Sequence, residues 1–238
     1  MPRSATRTGD DADGTPPKEV GGLVTPRRCY RLVVPSPATE TSRRTLQHYE
    51  RNAESFRDGT RDHDVSQNID ALLSAITAPL PFRVLELGCG PGRDLKTFLA
   101  RGHLPTGLDG CARFVEMARA EARCEVWQQD FLALTLPDAA FDGVFANASL
   151  FHVPSTHLSR VLGELRNTLV VDGVLFFSNP RGNNQEGWSG ERYGCYFEIE
   201  RWRELCAAAG FTEIDSYYRP AGHPRHEQPW LAMTWRRR

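Results

Sequence analysis

The first part of the chain differs in pattern from the rest. Residues 1 to 40 contain several prolines and many small or charged residues, with one short apolar stretch at Tyr30 to Val34. Such a composition buries too little apolar surface to offset the entropy lost when a chain becomes ordered. We therefore expect residues 1–40 to form a disordered or loosely attached arm, and residues 41–238 to form the folded domain.

Apolar residues then recur at helical spacing. Leu46, Tyr49, Ala53 and Phe56 lie three or four positions apart, which places them on one face of a helix that begins near Ser42. A second amphipathic pattern follows and predicts another helix before the parallel sheet begins.

Beyond these helices, short apolar strands alternate with helical segments. The predicted strands are Phe82 to Leu87, Thr106 to Leu108, Glu125 to Gln128, Phe141 to Asn147 and Val174 to Ser178. One predicted helix starts near Ser66 and ends before Pro79. The other predicted helices are Leu95 to Ala100, Ala112 to Ala120, Ser155 to about Val170, and Glu200 to Ala209. This alternation is typical of a parallel sheet with helices on both faces.

The C-terminal part ends the sheet differently. Asp172-Gly173 predicts a turn into the fifth strand. Two last strands, Thr212 to Tyr218 and Trp230 to Trp235, follow one another without an intervening helix, which favours antiparallel pairing. The fold predicted is a Rossmann-like α/β domain with a seven-stranded, mostly parallel sheet and an antiparallel edge strand.

The composition and the charge limit which kinds of binding partner are expected. The 29 Lys and Arg nearly balance the 30 Asp and Glu, so charge gives no reason to expect binding to nucleic acid or to an acidic membrane. The six cysteines form no CxxC or Cys/His cluster, which argues against a metal site and a disulfide framework. No stretch approaches the ~20 apolar residues of a membrane span, and no signal core is visible. We expect a soluble, cytoplasmic protein.

A glycine-rich loop follows the first strand. It reads Glu86-Leu87-Gly88-Cys89-Gly90-Pro91-Gly92, and it lacks the third glycine of the GxGxxG pattern that binds dinucleotides. Glycines let a backbone turn tightly and lie against a ligand. The loop therefore suits a ligand without a pyrophosphate, and Glu86 favours a cationic one.

Acidic residues end the next two strands. Asp109, followed by Gly110, ends the second strand, where its carboxylate can accept hydrogen bonds from both ribose hydroxyls. Asp130 ends the third strand beside Phe131, where the carboxylate can bind an adenine amino group while the ring covers a base face. Asn147 ends the fourth strand, near the point where open α/β sheets bind ligands.

These motifs resemble class I S-adenosylmethionine-dependent methyltransferases over residues 41–238. Four further stretches are similar to the C-terminal methyltransferase domain of ovothiol synthases: Gly59 to Asn68, Asn147 to Pro154, Ser178 to Trp188 and Tyr217 to Gly222. That domain methylates the π ring nitrogen of 5-thiohistidine. The resemblance implies S-adenosylmethionine as cofactor and a histidine-derived small molecule as substrate.

The chain departs from those synthases because their iron-dependent sulfoxide synthase portion is absent from it. The resemblance therefore implies a separate methyltransferase that has a functional link to such a synthase. It also leaves open whether the acceptor is 5-thiohistidine or 5-selenohistidine.

The resemblance and the loop together define a candidate cofactor site. Tyr49 can reach the methionine end of the cofactor with its hydroxyl. The other predicted cofactor residues are Glu86, Gly88, Cys89, Gly90, Gly92, Asp109, Gly110, Asp130, Phe131 and Asn147.

A second candidate set serves the acceptor. Arg181 is the first candidate for a carboxylate, because a guanidinium binds carboxylate through two parallel hydrogen bonds. The other predicted acceptor-binding residues are Asn68, Asn147, Phe151, Asn179, Asn183 and Tyr193. His63, Asp64 and His152 are candidate proton acceptors, alongside a tyrosine, although His152 is equally consistent with a hydrogen-bonded interior histidine.

Three alternatives remain. The acceptor can be another small nucleophile, such as ordinary histidine or an arsenic or sulfur species. A non-catalytic cofactor-binding scaffold is disfavoured by the asparagine-rich loop at Asn179 to Asn184. Nucleic-acid methylation would favour a D/N-P-P-Y motif after the fourth strand, where this chain has Asn147-Ala148-Ser149-Leu150.

Overall fold

The computed structural model describes residues 37–238. The disorder predicted for residues 1–36 lies outside the described residues. Residues 37–40, assigned to the same arm, instead form the first turn of helix α1 (Pro37–Arg51). Proline is compatible with the start of a helix, since the first amide of a helix has no partner within it.

The long helix predicted through Phe56 is divided into two. Helix α1 is followed by α2 (Ala53–Thr60), and the break is at Asn52, whose backbone leaves the helical region. The Asn52 side chain donates a hydrogen bond to the carbonyl of His48 at 2.7 Å and so competes with the helical pattern. Helix α3 (Ser66–Ala75) then matches the second predicted helix.

The main sheet has seven strands. Their bounds are β1 (Arg83–Leu87), β2 (Leu104–Asp109), β3 (Val126–Gln128), β4 (Phe141–Asn147), β5 (Leu169–Pro180), β8 (Phe211–Arg219) and β9 (Trp230–Arg237), while β6 (Gln185–Ser189) and β7 (Arg192–Tyr196) form a separate hairpin. The order is β3-β2-β1-β4-β5-β9-β8, with β1 to β5 parallel and β9 antiparallel to both of its neighbours. The predicted Rossmann-like fold is confirmed, with the antiparallel strand one position inside the edge.

Helices cover both faces of this sheet. The remaining helices are α4 (Arg93–Ala100), α5 (Ala112–Ala122), α6 (Ser155–Thr168) and α7 (Ile199–Ala208). Consecutive strand residues point to opposite faces, so Leu85 packs in one core with Trp202 of α7, while Val84 packs in another with Phe98 of α4. The carboxyl ends of β1, β2 and β4 are thereby left open to a ligand.

Two predictions around β5 were wrong or incomplete. The strand runs without a turn through Asp172-Gly173, where Asp172 has a φ of +61° and the register between β4 and β5 shifts. Aspartate tolerates this left-handed conformation, which allows a bulge instead of a turn. The hairpin β6–β7, which sequence analysis treated as a polar loop, adds a second sheet.

Within residues 37–238, no helix is both long enough and apolar enough to cross a lipid bilayer.

Candidate active site

A cavity of about 740 Å³ opens at the carboxyl ends of β1, β2 and β4. Such a volume suits a small-molecule site. Helices α1 and α2 cover one side of the cavity through Tyr49 and Phe56, and the hairpin contributes Arg192. The cavity thus lies where parallel sheets of this kind bind ligands.

The glycine loop forms one wall of this cavity. Gly88 has a φ of +78°, and a Cβ there would stand 2.4 Å from the Cβ of Ser149, so only glycine fits. Gly90 also has a positive φ, and both residues line the cavity together with Cys89.

Gly92 has a different role from the one that the motif predicts. It is outside the cavity lining, and a Cβ added there would lie 2.8 Å from the Cα of Ala118 on α5. The third glycine of the loop therefore permits close packing of the start of α4 against α5.

Glu86 supplies a buried carboxylate at the base of the loop. The residue is only 4% exposed, and its Oε2 has no hydrogen-bond partner among residues 37–238. Burial and the neighbouring Asp94 raise its pKa well above the usual value, while the Arg93 guanidinium opposes that rise. A buried carboxylate oxygen without a partner fits a cationic ligand group, such as the ammonium of a methionine moiety.

Asp109 is positioned by the same loop. Its two oxygens accept from the amides of Gly90 and Cys111, each at 2.9 Å, and burial raises its pKa to about 6. Each carboxylate oxygen has a second lone pair. Asp109 can therefore accept two ribose hydroxyls while the backbone holds it in place, and Gly110 beside it also lines the cavity.

Asp130 and Phe131 also reach the cavity, as predicted. Asp130 accepts from the Leu132 amide at 2.9 Å, and the hydroxyl of Ser42 lies 2.8 Å from both of its carboxylate oxygens. Helix α1 is thus hydrogen-bonded to the carboxylate that is predicted to bind the adenine amino group.

Tyr49 and His152 line the cavity and are hydrogen-bonded to each other. The Tyr49 hydroxyl lies 2.8 Å from His152 Nε2, and His152 Nδ1 lies 2.6 Å from the carbonyl oxygen of Tyr193. Burial lowers the pKa of His152 to about 4, so its imidazole is neutral near pH 7. Phe151 stacks on the His152 ring at 3.9 Å between centroids and lines the cavity as well.

Asn147 lines the cavity, but Asn68 supports it from behind. The Asn68 amide donates to Asn147 Oδ1 at 2.9 Å, and Tyr217 donates to Asn68 Oδ1 at 2.8 Å. Asn68 is fully buried and outside the cavity lining. Its predicted contact with the acceptor is therefore replaced by a role in holding Asn147.

Besides Asn68, the structure leaves four predicted acceptor residues outside the cavity lining. Arg181 donates to the carbonyl of Arg225 at 3.2 Å, and Asn183 is exposed on the loop before β6. Asn179 is fully buried and accepts from the Phe151 amide. The Tyr193 ring packs against Trp188, and the Tyr193 backbone carbonyl is hydrogen-bonded to His152.

Three arginines outside the predicted set line the cavity: Arg93 at the start of α4, whose guanidinium is paired with Asp94, Arg192 on β7 and Arg219 at the end of β8. Arg219 donates to the carbonyl of Asp64 at 2.9 Å, which ties it to the segment before α3. Arg219 lies inside Tyr217 to Gly222, one of the four stretches that resemble the ovothiol synthase domain, and that resemblance could have indicated it. No sequence pattern indicated Arg192, because the hairpin was not predicted.

His63 and Asp64 line the cavity at its mouth and are exposed. Asp64 accepts from the Ser66 amide at 2.9 Å, and this hydrogen bond lowers its pKa. The carboxylate is therefore a weak base and serves the first turn of α3.

Among residues 37–238, no group of three or more His, Cys, Asp or Glu side chains is placed to hold a metal ion. The five cysteines in this part of the chain are free thiols, and burial raises the pKa of Cys89 beside the loop.

Comparison with known proteins locates the shared part of the chain. Residues 84–173 match the family model of a methyltransferase domain. The trans-aconitate 2-methyltransferase of Enterobacter sp. (strain 638) is 36% identical over 100 residues, which cover 41% of this chain and 38% of that protein. The malonyl-[acyl-carrier protein] O-methyltransferase of Enterobacter lignolyticus (strain SCF1) is 31% identical over 136 residues, which cover 57% and 50%. The matches thus span half or less of these relatives' lengths.

A solved structure extends the similarity across the domain. The 1,6-didemethyltoxoflavin-N1-methyltransferase of Burkholderia thailandensis, with bound 1,6-didemethyltoxoflavin and S-adenosylhomocysteine, superposes with a TM-score of 0.69. The two chains are 24% identical, and the alignment covers 86% of this chain and 92% of that one. The domain therefore has the Rossmann-like fold of this methyltransferase.

Proposed function

We propose that this chain, which has the fold and the domain signature of class I methyltransferases, transfers a methyl group from S-adenosylmethionine to a small polar acceptor. The observation that carries the proposal is that one cavity is lined by Glu86, whose Oε2 has no partner among the described residues, and by the amide-anchored Asp109. The hydrogen-bonded pair Tyr49 and His152 lines the same cavity.

The residues fit the cofactor by their chemistry. Glu86 would bind the ammonium group, Asp109 the ribose hydroxyls, and Asp130 with Phe131 the adenine. When bound, S-adenosylmethionine supplies a methyl group on a positively charged sulfur. The protein's own part is to hold the acceptor atom in line with that methyl and to exclude water, since positioning lowers the barrier of such displacements.

The acceptor that we propose is 5-thiohistidine or 5-selenohistidine, with methylation at the π ring nitrogen. Its support is the resemblance of four stretches to the methyltransferase domain of ovothiol synthases, each of which includes cavity residues, among them His63, Phe151, Ser178 and Arg219. Arg192 and Arg219 together replace Arg181 as the candidates for binding the amino-acid carboxylate. A sulfoxide synthase would supply this acceptor.

A carboxylic acid is the second candidate acceptor, with a methyl ester as the product. Arg192 and Arg219 favour it, because each guanidinium lines the cavity and can hold a carboxylate, whereas that of Arg93 is paired with Asp94. The names of the trans-aconitate and malonyl relatives also point to acid acceptors, although these matches cover half or less of those proteins.

Calorimetric titration with S-adenosylhomocysteine, followed by each acceptor, tests the proposal. We expect S-adenosylhomocysteine to bind and 5-thiohistidine to bind afterwards, with plain histidine binding at least tenfold more weakly. Mass spectrometry then identifies the methylated product. A base-labile methyl is an ester and favours the carboxylic-acid candidate, whereas a base-stable methyl on the ring favours the thiohistidine.

Each negative result has its own meaning. Binding of S-adenosylhomocysteine without turnover of any tested acceptor would favour the non-catalytic scaffold. If S-adenosylhomocysteine itself does not bind, the proposed function is wrong.

A further inference from the structure

The hydrogen bonds around His152 fix which ring nitrogen carries the proton. A carbonyl oxygen can only accept, so the 2.6 Å contact with the Tyr193 carbonyl requires a hydrogen on Nδ1. In the neutral ring, Nε2 then has a free lone pair. The Tyr49 hydroxyl, 2.8 Å from Nε2, must therefore donate to it.

Tyr49 and His152 are held in the cavity wall by their surroundings. Tyr49 is held by ring contacts with Phe56 and Phe114, at 5.5 Å and 5.7 Å between centroids. Burial, Asp109 and Tyr196 raise the pKa of the Tyr49 hydroxyl, whereas Arg192 from β7 lowers it. Burial, Arg192 and His48 from α1 lower the pKa of the His152 imidazole. A cationic Arg192 stabilises negative charge on the Tyr49 oxygen as its proton leaves.

The competing bases at the cavity are less suited to this task. Asp64 already accepts from the Ser66 amide, and His63 is exposed at the mouth. Tyr49 and His152 alone among the four candidates form a direct hydrogen-bonded pair, one that begins in the cavity wall and ends at a backbone carbonyl.

We propose that Tyr49 and His152 form a two-step proton relay for the acceptor. The acceptor atom's lone pair forms the new bond to the methyl carbon, and the carbon–sulfur bond breaks with its electron pair left on sulfur. The proton that the acceptor loses passes to the Tyr49 oxygen, and the Tyr49 hydroxyl proton passes to His152 Nε2. The imidazolium, still donating from Nδ1 to the Tyr193 carbonyl, returns its extra proton to water after the product leaves. This relay rests on the proposed methyl transfer.

The first test needs no acceptor. Nitrogen-15 correlation spectra of the histidine rings, with His152→Gln used to assign the signal, report which nitrogen of His152 is protonated. We expect the neutral Nδ1–H form at pH 7. A signal from the Nε2–H form would overturn the relay whether or not the proposed acceptor is correct, because that nitrogen could not accept from Tyr49.

The second test uses turnover with whichever acceptor proves active. Tyr49→Phe removes only the hydroxyl and leaves the ring contacts, and His152→Gln removes the terminal base. We expect kcat to fall about 10²- to 10⁴-fold in each, the usual range for general base catalysis. The acceptor KM should change less than about threefold, and His152→Gln should bind S-adenosylhomocysteine as the wild type does.

His157→Gln is the matched control, because it removes a histidine on α6 that is outside the cavity lining. We expect its kcat to stay within about threefold of the wild type, and His63→Gln separately tests the competing base. We also expect kcat of the wild type to be flat between pH 6 and 8, and that of His152→Gln to rise with pH as hydroxide replaces the lost base. A larger loss in His63→Gln than in His152→Gln, or equal pH profiles, would refute the relay.

Discussion

Asp109→Asn tests the cofactor site through one side chain. The carboxylate accepts two backbone amides at 2.9 Å, and we infer that it also accepts two ribose hydroxyls. Asparagine offers one oxygen in place of two, so its NH₂ group faces an amide that it cannot bind. Hydrogen bonds to charged groups contribute about 1.5–3 kcal/mol each. We therefore expect a loss of about 3 kcal/mol in S-adenosylhomocysteine binding, which is roughly a hundredfold in Kd.

Calorimetry between pH 5 and 8 is the assay. Because the pKa of Asp109 is about 6, the wild-type carboxyl becomes protonated below that pH and accepts hydroxyl hydrogens less well. Wild-type affinity should therefore weaken as the pH falls below 6, and this slope should vanish in Asp109→Asn.

Asp142→Asn provides the matched control for losing a buried aspartate. Asp142 accepts from the Arg83 backbone and guanidinium and is outside the cavity lining. The Asp142→Asn substitution should lower the melting temperature and leave the Kd for S-adenosylhomocysteine unchanged. This account of the cofactor site would be refuted if the Asp109→Asn variant bound S-adenosylhomocysteine with a Kd within threefold of the wild-type value.

Three further results are expected. Gly92→Ala should lower the free energy of unfolding by about 1–3 kcal/mol in denaturant titration, since φ is +93° and α5 leaves no room, whereas Gly59→Ala in open space should not. Arg192→Ala should raise the KM of a carboxylate-bearing acceptor at least tenfold, and Arg181→Ala should leave it unchanged. Because the pKa of His152 is lowered from 6.5 to about 4, the unfolded chain binds more protons in this range. Stability should then fall by up to about 3 kcal/mol as the pH drops from 6.5 to 4, a slope that His152→Gln should lack.

The sequence placed the residues that are predicted to bind the cofactor at the cavity for physical reasons. Apolar runs of strand length locate the parallel strands, and a polar residue at or just after the end of such a strand must lie near the sheet's carboxyl edge. Glu86, Asp109 and Asn147 are among the last two residues of their strands, Asp130 follows β3 by two residues, and all four line the cavity.

The acceptor half depends on contacts that no local pattern encodes. Arg192 lies on a short hairpin whose strands are half polar, so the alternation that reveals buried strands is weak there. Arg181 has the expected chemistry but is directed toward Arg225 by the loop after β5. Gly92 shows the reverse case, in which a motif residue is required for helix packing instead of ligand contact.

The hairpin β6–β7 lies outside the part of the chain that matches the family model of a methyltransferase domain. Its strands pair with each other and not with the seven-stranded sheet, and it lies beyond residue 173, where the shared methyltransferase segment ends. Arg192 and the carbonyl that orients His152 both come from it. On the proposed function, we expect mutations in this insert to change the acceptor while the seven-stranded sheet stays intact, so similarity over residues 84–173 says little about the proposed acceptor.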